Sequence, residues 1–494
     1  MIDNWPILTM TIILPLFGVL LVSFIPNKYD KNGIITKNCI LNVKLVGIWT
    51  SSMTFFLSLL LIVRFDETTT NYQFLEFSNW LSSFGIILKV GLDGLSLPFI
   101  LLTTFFTLIC ILYSWNTIHQ KIKEFMITFL ILESFTLGLF SSLDLSLFYI
   151  FYVFILIPIF FIIGIWGGVK RIQASFKFFL YTFFSSIFML IPIIYLKIID
   201  NSIDISNIHN IKLTFQEQIW LFIGFFMSFA VRISLWPFQT WLIEVHDEVP
   251  TVGSIILSVI LLNVGGYGLI RFSIPFLSEI YYLIQPIIFL ISFVSIIYGF
   301  LMILTHKDLK KIVAYLTIIN TGIITLGIFC FNKQCLDGSI FHMISWSFIS
   351  AGLFIAIGVI YEKTQTRDIN YLGDFATKMP HFSVFLIIFI LAYIGLPLTS
   401  GFVGYFLILL GFWKENPAVT LTLGITIIFC SIYMLKFYKK ISFGESKINE
   451  NLSLTDVDKR EMSLLLILSL LIIFFGIFPS FILDFLDNFN FVYK

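Results

Sequence analysis

Charge is what this sequence has least of. Only 12% of its 494 residues are Asp, Glu, Lys or Arg, and the 30 basic and 29 acidic side chains leave a net charge of +1. No basic face is available for nucleic acid, and no nucleic-acid partner is expected. Five cysteines, Cys39, Cys110, Cys330, Cys335 and Cys430, include no C-x-x-C pair, so neither a metal centre nor a disulfide is expected. No G-x-G-x-x-G follows a strand and no cysteine cluster suits iron and sulfur, which leaves the chain without a cofactor of its own. The first 26 residues lack a basic leading segment and a small-residue cleavage site, and are expected to form a retained first span rather than a signal peptide.

What is abundant is apolar surface. Hydrophobic residues make up 58% of the chain and the mean hydropathy is +0.98, far outside the range of soluble domains. Apolar runs long enough to span a bilayer begin near Pro6, Val43, Ser96, Glu124, Leu145, Ser175, Ile219, Thr251, Glu279, Leu309, Gly338, Pro380, Ala418 and Met462. The expected fold is an all-α polytopic membrane protein of about fourteen transmembrane helices, embedded in a lipid bilayer. Most of the 30 Lys and Arg residues fall in odd-numbered loops, Lys28 and Lys31 among them, so both termini are expected outside the cytoplasm or matrix. The polar, aromatic stretch from Phe65 to Gly94 is expected to fold as a hairpin, with Asp93 in a turn or helix cap.

The chain is organised around Arg232 to Phe272. Two apolar runs flank a loop with Glu244, His246, Asp247 and Glu248, and each contains a helix breaker, Pro237 in one and Gly265-Gly266 in the other. A membrane helix tolerates proline only where neighbours satisfy the freed carbonyl, and broken helices are where transporters place ion sites. Arg232 lies within the apolar run, and a charge at that depth is a candidate functional residue. Glu133, in the fourth span, must find a partner or a proton. Lys177 lies close enough to the basic surface to snorkel, and equally well placed to face the interior. Asp144 suits a helix cap, Lys310 and Lys311 a solvated helix end, and His342 hydrogen-bonded packing. A second proline-broken segment, with Pro397 and Gly401, follows about 160 residues after the first. It marks two five-helix repeats, 124–272 and 277–440, with broken helices 7 and 12, three N-terminal helices in 1–115 and a C-terminal one in 461–494. With an odd number of helices each, the repeats are inverted.

The motifs VGLDGLSL at 90–97, SLDLSLFYIF at 142–151, PTVGS at 250–254, LLNVGGYGLIRF at 261–272, DLKKIVAY at 308–315, SAGLF at 350–354 and GLPLTSGFVG at 395–404 together resemble the antiporter-like subunits of respiratory complex I. The resemblance covers nearly the whole chain. It implies a membrane-arm subunit that translocates protons, partnered by other membrane-arm subunits, with no direct NADH or quinone site. Its proton-path positions fall on Val153, Arg232, Gln239, Asn263, Asn320, Trp346 and Tyr405, where the family has, in that order, glutamate, lysine, histidine, lysine, histidine, histidine and glutamate. Arginine holds its charge and cannot relay a proton, while asparagine, glutamine and tyrosine keep only hydrogen-bonding capacity. Glu133, Lys177 and His246 remain as titratable groups, and Glu133 is expected to pair with Arg232 in place of the glutamate lost at Val153. Three functions follow: a proton-translocating complex I subunit, a divergent paralogue acting as a scaffold, or a subunit of a multi-component sodium/proton antiporter.

Overall fold

In the computed structural model the described residues are 6–26, 36–81, 86–199, 204–205, 211, 213–276, 280–447 and 455–487. Lys28, Lys31 and Glu279 lie outside them. Among the described residues twelve helices are long and apolar enough to cross a membrane: Ile7–Phe24, Lys37–Arg64, Ser96–Thr117, Ile122–Ser141, Leu145–Trp166, Arg171–Ile199, Thr251–Phe276, Tyr281–Thr305, Leu309–Ile328, Lys333–Thr364, Pro417–Phe443 and Lys459–Ile477. The remaining two spans are the broken ones. The seventh consists of Phe215–Ile233 and Thr240–Glu248, and the twelfth of Pro380–Ile394 and Ser400–Glu415. Together they complete the fourteen spans expected, numbered here in chain order.

The chain divides into two compact units, Met1–Ser228 with Phe485–Val492, and Phe229–Asp484 with Tyr493–Lys494. In the first, the stretch before the third span forms the expected hairpin, an antiparallel pair of β1 (Gln73–Leu81) and β2 (Ile86–Leu92). Glu76 of β1 accepts from the N–H groups of Leu8 and Thr9, at 3.1 and 3.0 Å. A carboxylate there meets the positive end of the first span, whose own N-cap, Pro6, has no side chain to offer. Asp93 closes its turn by accepting from the Ser96 N–H at 3.0 Å, and Asp144 caps the fifth span by accepting from Leu147 at 3.0 Å.

Both breaks begin the same way. Ser234 and Gly395 have left-handed backbones, φ 65° and 81°. In the seventh span Ser234 N–H returns to Val231 O and Leu235 N–H to Ala230 O, while in the twelfth Gly395 N–H returns to Ala392 O and Leu396 N–H to Leu391 O. Each is a Schellman ending, which satisfies carbonyls that the interrupted helix would leave bare. A second device recurs: Ile205 N–H donates to Leu143 O at 2.9 Å, and Ile369 N–H to Lys307 O at 3.0 Å. The later pair lies 164 residues beyond the earlier, 307 less 143 and 369 less 205.

The eighth span departs from expectation. It is continuous, and Gly265-Gly266 does not break it; two π-helical segments, Leu257–Leu261 and Leu269–Ser273, flank the α-helical turn that contains the glycines. The glycines serve close packing instead. A Cβ on Gly265 would sit 2.6 Å from Ile233 Cγ1, and one on Gly266 would sit 2.4 Å from Met343 Cε.

Candidate functional site

One of the two wholly buried spans among the described residues carries a run of polar contacts. Lys333–Thr364, the eleventh span, is 100% buried over its most apolar window, so every hydroxyl on it must be satisfied by the protein. Starting at its C-terminal side, Phe354 stacks on the ring of His246 at 4.9 Å with 10° between the planes. One turn back, Ser350 donates to Ser258 Oγ at 3.3 Å. Asn263 donates to Ser347 Oγ at 2.7 Å and to Val259 O at 2.6 Å, and Ser345 donates to Ser400 Oγ at 2.8 Å. At the far end Asn320 Oδ1 receives both His342 Nε2, at 2.8 Å, and the Tyr405 hydroxyl, at 2.9 Å. From Phe354 to His342 the helix rises about 18 Å, more than half the thickness of a bilayer core. Asn263 and Tyr405 thus belong to this run, as hydrogen-bonding groups without a charge to switch.

A cluster of charges adjoins its His246 end. Asp247, next in sequence, pairs with Lys311 at 3.0 Å and with Arg367 at 3.7 Å, and its carbonyl also receives Arg367 Nη1 at 2.9 Å. Lys310 is only 2% exposed and donates from Nζ to Val249 O. The solvated helix end expected for Lys310 is therefore corrected: Asp308 caps the tenth span through the Lys310 and Lys311 N–H groups, which turns Lys310 inward onto the loop between spans seven and eight. Lys311 alone remains partly solvated.

The other candidates lie on the fourth, fifth, sixth and seventh spans. Arg232 is fully buried in the last turn before the Schellman ending of the seventh span. Glu133, also fully buried, accepts from Thr54 Oγ1 at 2.7 Å, with the Thr107 hydroxyl its second described neighbour. Its hydrogen bonds come from spans two and three, within its own compact unit, and Arg232 belongs to the other unit. Lys177 is half-buried, its ammonium 6.0 Å from the Tyr181 ring centroid. Val153 is half-buried, beside Tyr152, whose hydroxyl meets Ser228 Oγ at 3.1 Å. Sequence reasoning missed Lys310 and the serines. The i, i+3 spacing of Ser347 and Ser350 on an otherwise apolar helix was their available signal.

Residues 142–431 match the family model described as NADH:quinone oxidoreductase/Mrp antiporter, transmembrane. The chain belongs to that family. Within this antiporter family, NADH-quinone oxidoreductase subunit M of Rickettsia conorii is 42% identical over 97% of each chain. NADH-ubiquinone oxidoreductase chain 4 of Chondrus crispus is 40% identical, over 98% of this chain and 96% of that one. Among solved structures, a chain of respiratory complex I from Thermus thermophilus with bound NADH superposes with a TM-score of 0.84 at 26% identity, covering 98% of this chain and 100% of that one.

Proposed function

We propose that this chain is subunit M of a complex I membrane arm and takes part in proton translocation coupled to electron transfer from NADH to quinone. The redox chemistry takes place on other subunits, which are its partners, and lipid surrounds the rest. The observation that carries the reading is the run of buried polar side chains along the eleventh span. Hydroxyls and amides at that spacing order a file of hydrogen bonds through a region where, without a function, apolar packing costs less. Support for two five-helix repeats, 124–272 and 277–440, comes from the 164-residue recurrence of the loop pairing and from the shared Schellman endings. Connectivity through five spans inverts the second repeat in the membrane.

A second reading, a scaffold subunit without transport of its own, is favoured by one observation: Asn263 and Tyr405 are held by neutral hydrogen bonds. Purification of the tagged chain from its native membrane, with mass spectrometry of its companions, tests membership. Redox subunits are expected, and a set of antiporter subunits without them overturns the reading. Proton uptake by vesicles during NADH oxidation, compared between the native complex and one carrying Asn263→Leu, then separates transport from scaffold. Equal uptake in an assembled complex favours the scaffold.

A further inference from the structure

The Asn320, His342 and Tyr405 contact has a fixed polarity. Asn320 Nδ2 donates to Leu316 O at 2.8 Å, which turns its Oδ1 toward the other two side chains. Oδ1 only accepts, so Tyr405 and His342 both donate to it, and the histidine hydrogen must sit on Nε2. The lone pair is then on Nδ1, and that atom is buried with no hydrogen-bond partner among the described residues. A buried basic nitrogen left open in a side chain 1% exposed requires an explanation. Gly404 packs against that side of the ring: a Cβ there would stand 2.7 Å from Nδ1, so the twelfth span meets it with backbone that carries no side chain.

We propose that His342 is the group that holds the transported proton in the second half of this chain, with Asn320 and Tyr405 positioning its ring. The inference rests on the transport reading above. A proton delivered by water adds to the Nδ1 lone pair, giving an imidazolium that keeps its Nε2–H on Asn320, and loss of that proton to water restores the neutral ring. Only an N–H bond forms and breaks, and no electron moves. Protonation strengthens the Nε2–H bond to Asn320, because a charged donor makes a shorter and stronger hydrogen bond. Asn263 and Tyr405 cannot take this part, since neither changes charge near neutral pH. Trp346, one turn along the same helix, presents only an N–H donor. The position accordingly differs from the family places identified in the sequence: the tenth and eleventh spans have Asn320 and Trp346 there, and the histidine stands at 342.

The test is NADH-driven proton uptake by inverted vesicles containing the assembled complex, with and without His342→Gln. Glutamine can still donate to Asn320 but cannot hold a proton. Protons taken up per NADH oxidised are expected to fall, by no more than about twofold, small beside the usual contribution of an acid-base residue because other subunits share the flux. An unchanged ratio in an assembled complex overturns the inference, whereas absence of redox subunits from the purified wild type overturns the underlying reading. Should His342→Gln fail to assemble, Asn320→Asp decides. It is nearly isosteric, and places a carboxylate beside the imidazole. The titratable groups facing this region from neighbouring helices are Tyr405 and Tyr393 of the twelfth span and Cys430 of the thirteenth, all ordinarily neutral at pH 7. The pH profile of uptake should therefore move to higher pH by at least about one unit. A profile that stays in place overturns the proposal.

Discussion

The fourth span and the eleventh bury polar groups in opposite ways. Glu133 of the fourth span is answered by hydroxyls of spans two and three, and on the fifth span Tyr152 meets Ser228. Along the eleventh span, Ser350 and Ser347 reach the eighth span, Ser345 the twelfth and His342 the tenth, and the contacts follow one another every two or three residues. Isolated pairs satisfy groups that burial would otherwise penalise, and they fix packing. A sequence of pairs along one axis does the same, and in addition ties one helix to three others along its length. The difference is the ground for placing the proposed transfer along the eleventh span rather than the fourth.

That contrast can be broken most severely at the second break. Gly401 faces the carbonyl of Ala392, and a Cβ there would lie 1.9 Å from the oxygen, so backbone must move. Gly401→Ala is expected to lower stability by about 3 kcal/mol, read as loss of assembled protein and an earlier thermal transition in detergent. Asn263→Leu removes the donor to Ser347 and Val259; a cost of about 2 kcal/mol is expected, together with reduced proton uptake. Unaltered uptake would reduce the run along the eleventh span to packing. Glu133→Gln keeps an acceptor for Thr54, and should cost about 1 kcal/mol while leaving uptake per NADH unchanged in the assembled complex. A collapse of pumping in a stable Glu133→Gln complex would erase the distinction between the two regions.

The smallest effect concerns the loop before the last span. Burial raises the Asp456 carboxyl, but the backbone N–H groups of His381 and Val457 and the His381 side chain outweigh it and hold the group below the ordinary carboxylate value. A depressed value in the folded chain means stabilisation present at neutral pH and lost as pH falls through and below about 4. Asp456→Asn should flatten that part of the stability profile measured by thermal melts, and a profile identical to wild type would remove Asp456 as the source.

Much of this was legible in the residues. Fourteen spans follow from length and hydropathy alone, and Pro237 and Pro397 mark both interruptions because proline cannot continue a helix. The local cause of the first interruption was not legible, since Ser234 adopts a left-handed backbone that serine rarely takes without tertiary support. Gly265-Gly266 misled because a glycine pair reads alike whether it breaks a helix or lets a neighbour approach, and only the position of Ile233 and Met343 decides. Lys310 misled for a similar reason. A lysine at a helix start on the basic side looks solvated until the loop that covers it is known. Arg232, His246, Asn263 and Tyr405 were identified as individual residues, whereas the partners of Asn263 and Tyr405, Ser347 and Asn320, depend on contacts between helices far apart in sequence.

The carboxylate of Glu76 on the first span has a consequence for synthesis. The amides of Leu8 and Thr9 emerge from the ribosome 67 or 68 residues before the group that will satisfy them. The contact therefore forms only after the second span and β1 have been made, so this helix is locked by a segment synthesised well after it.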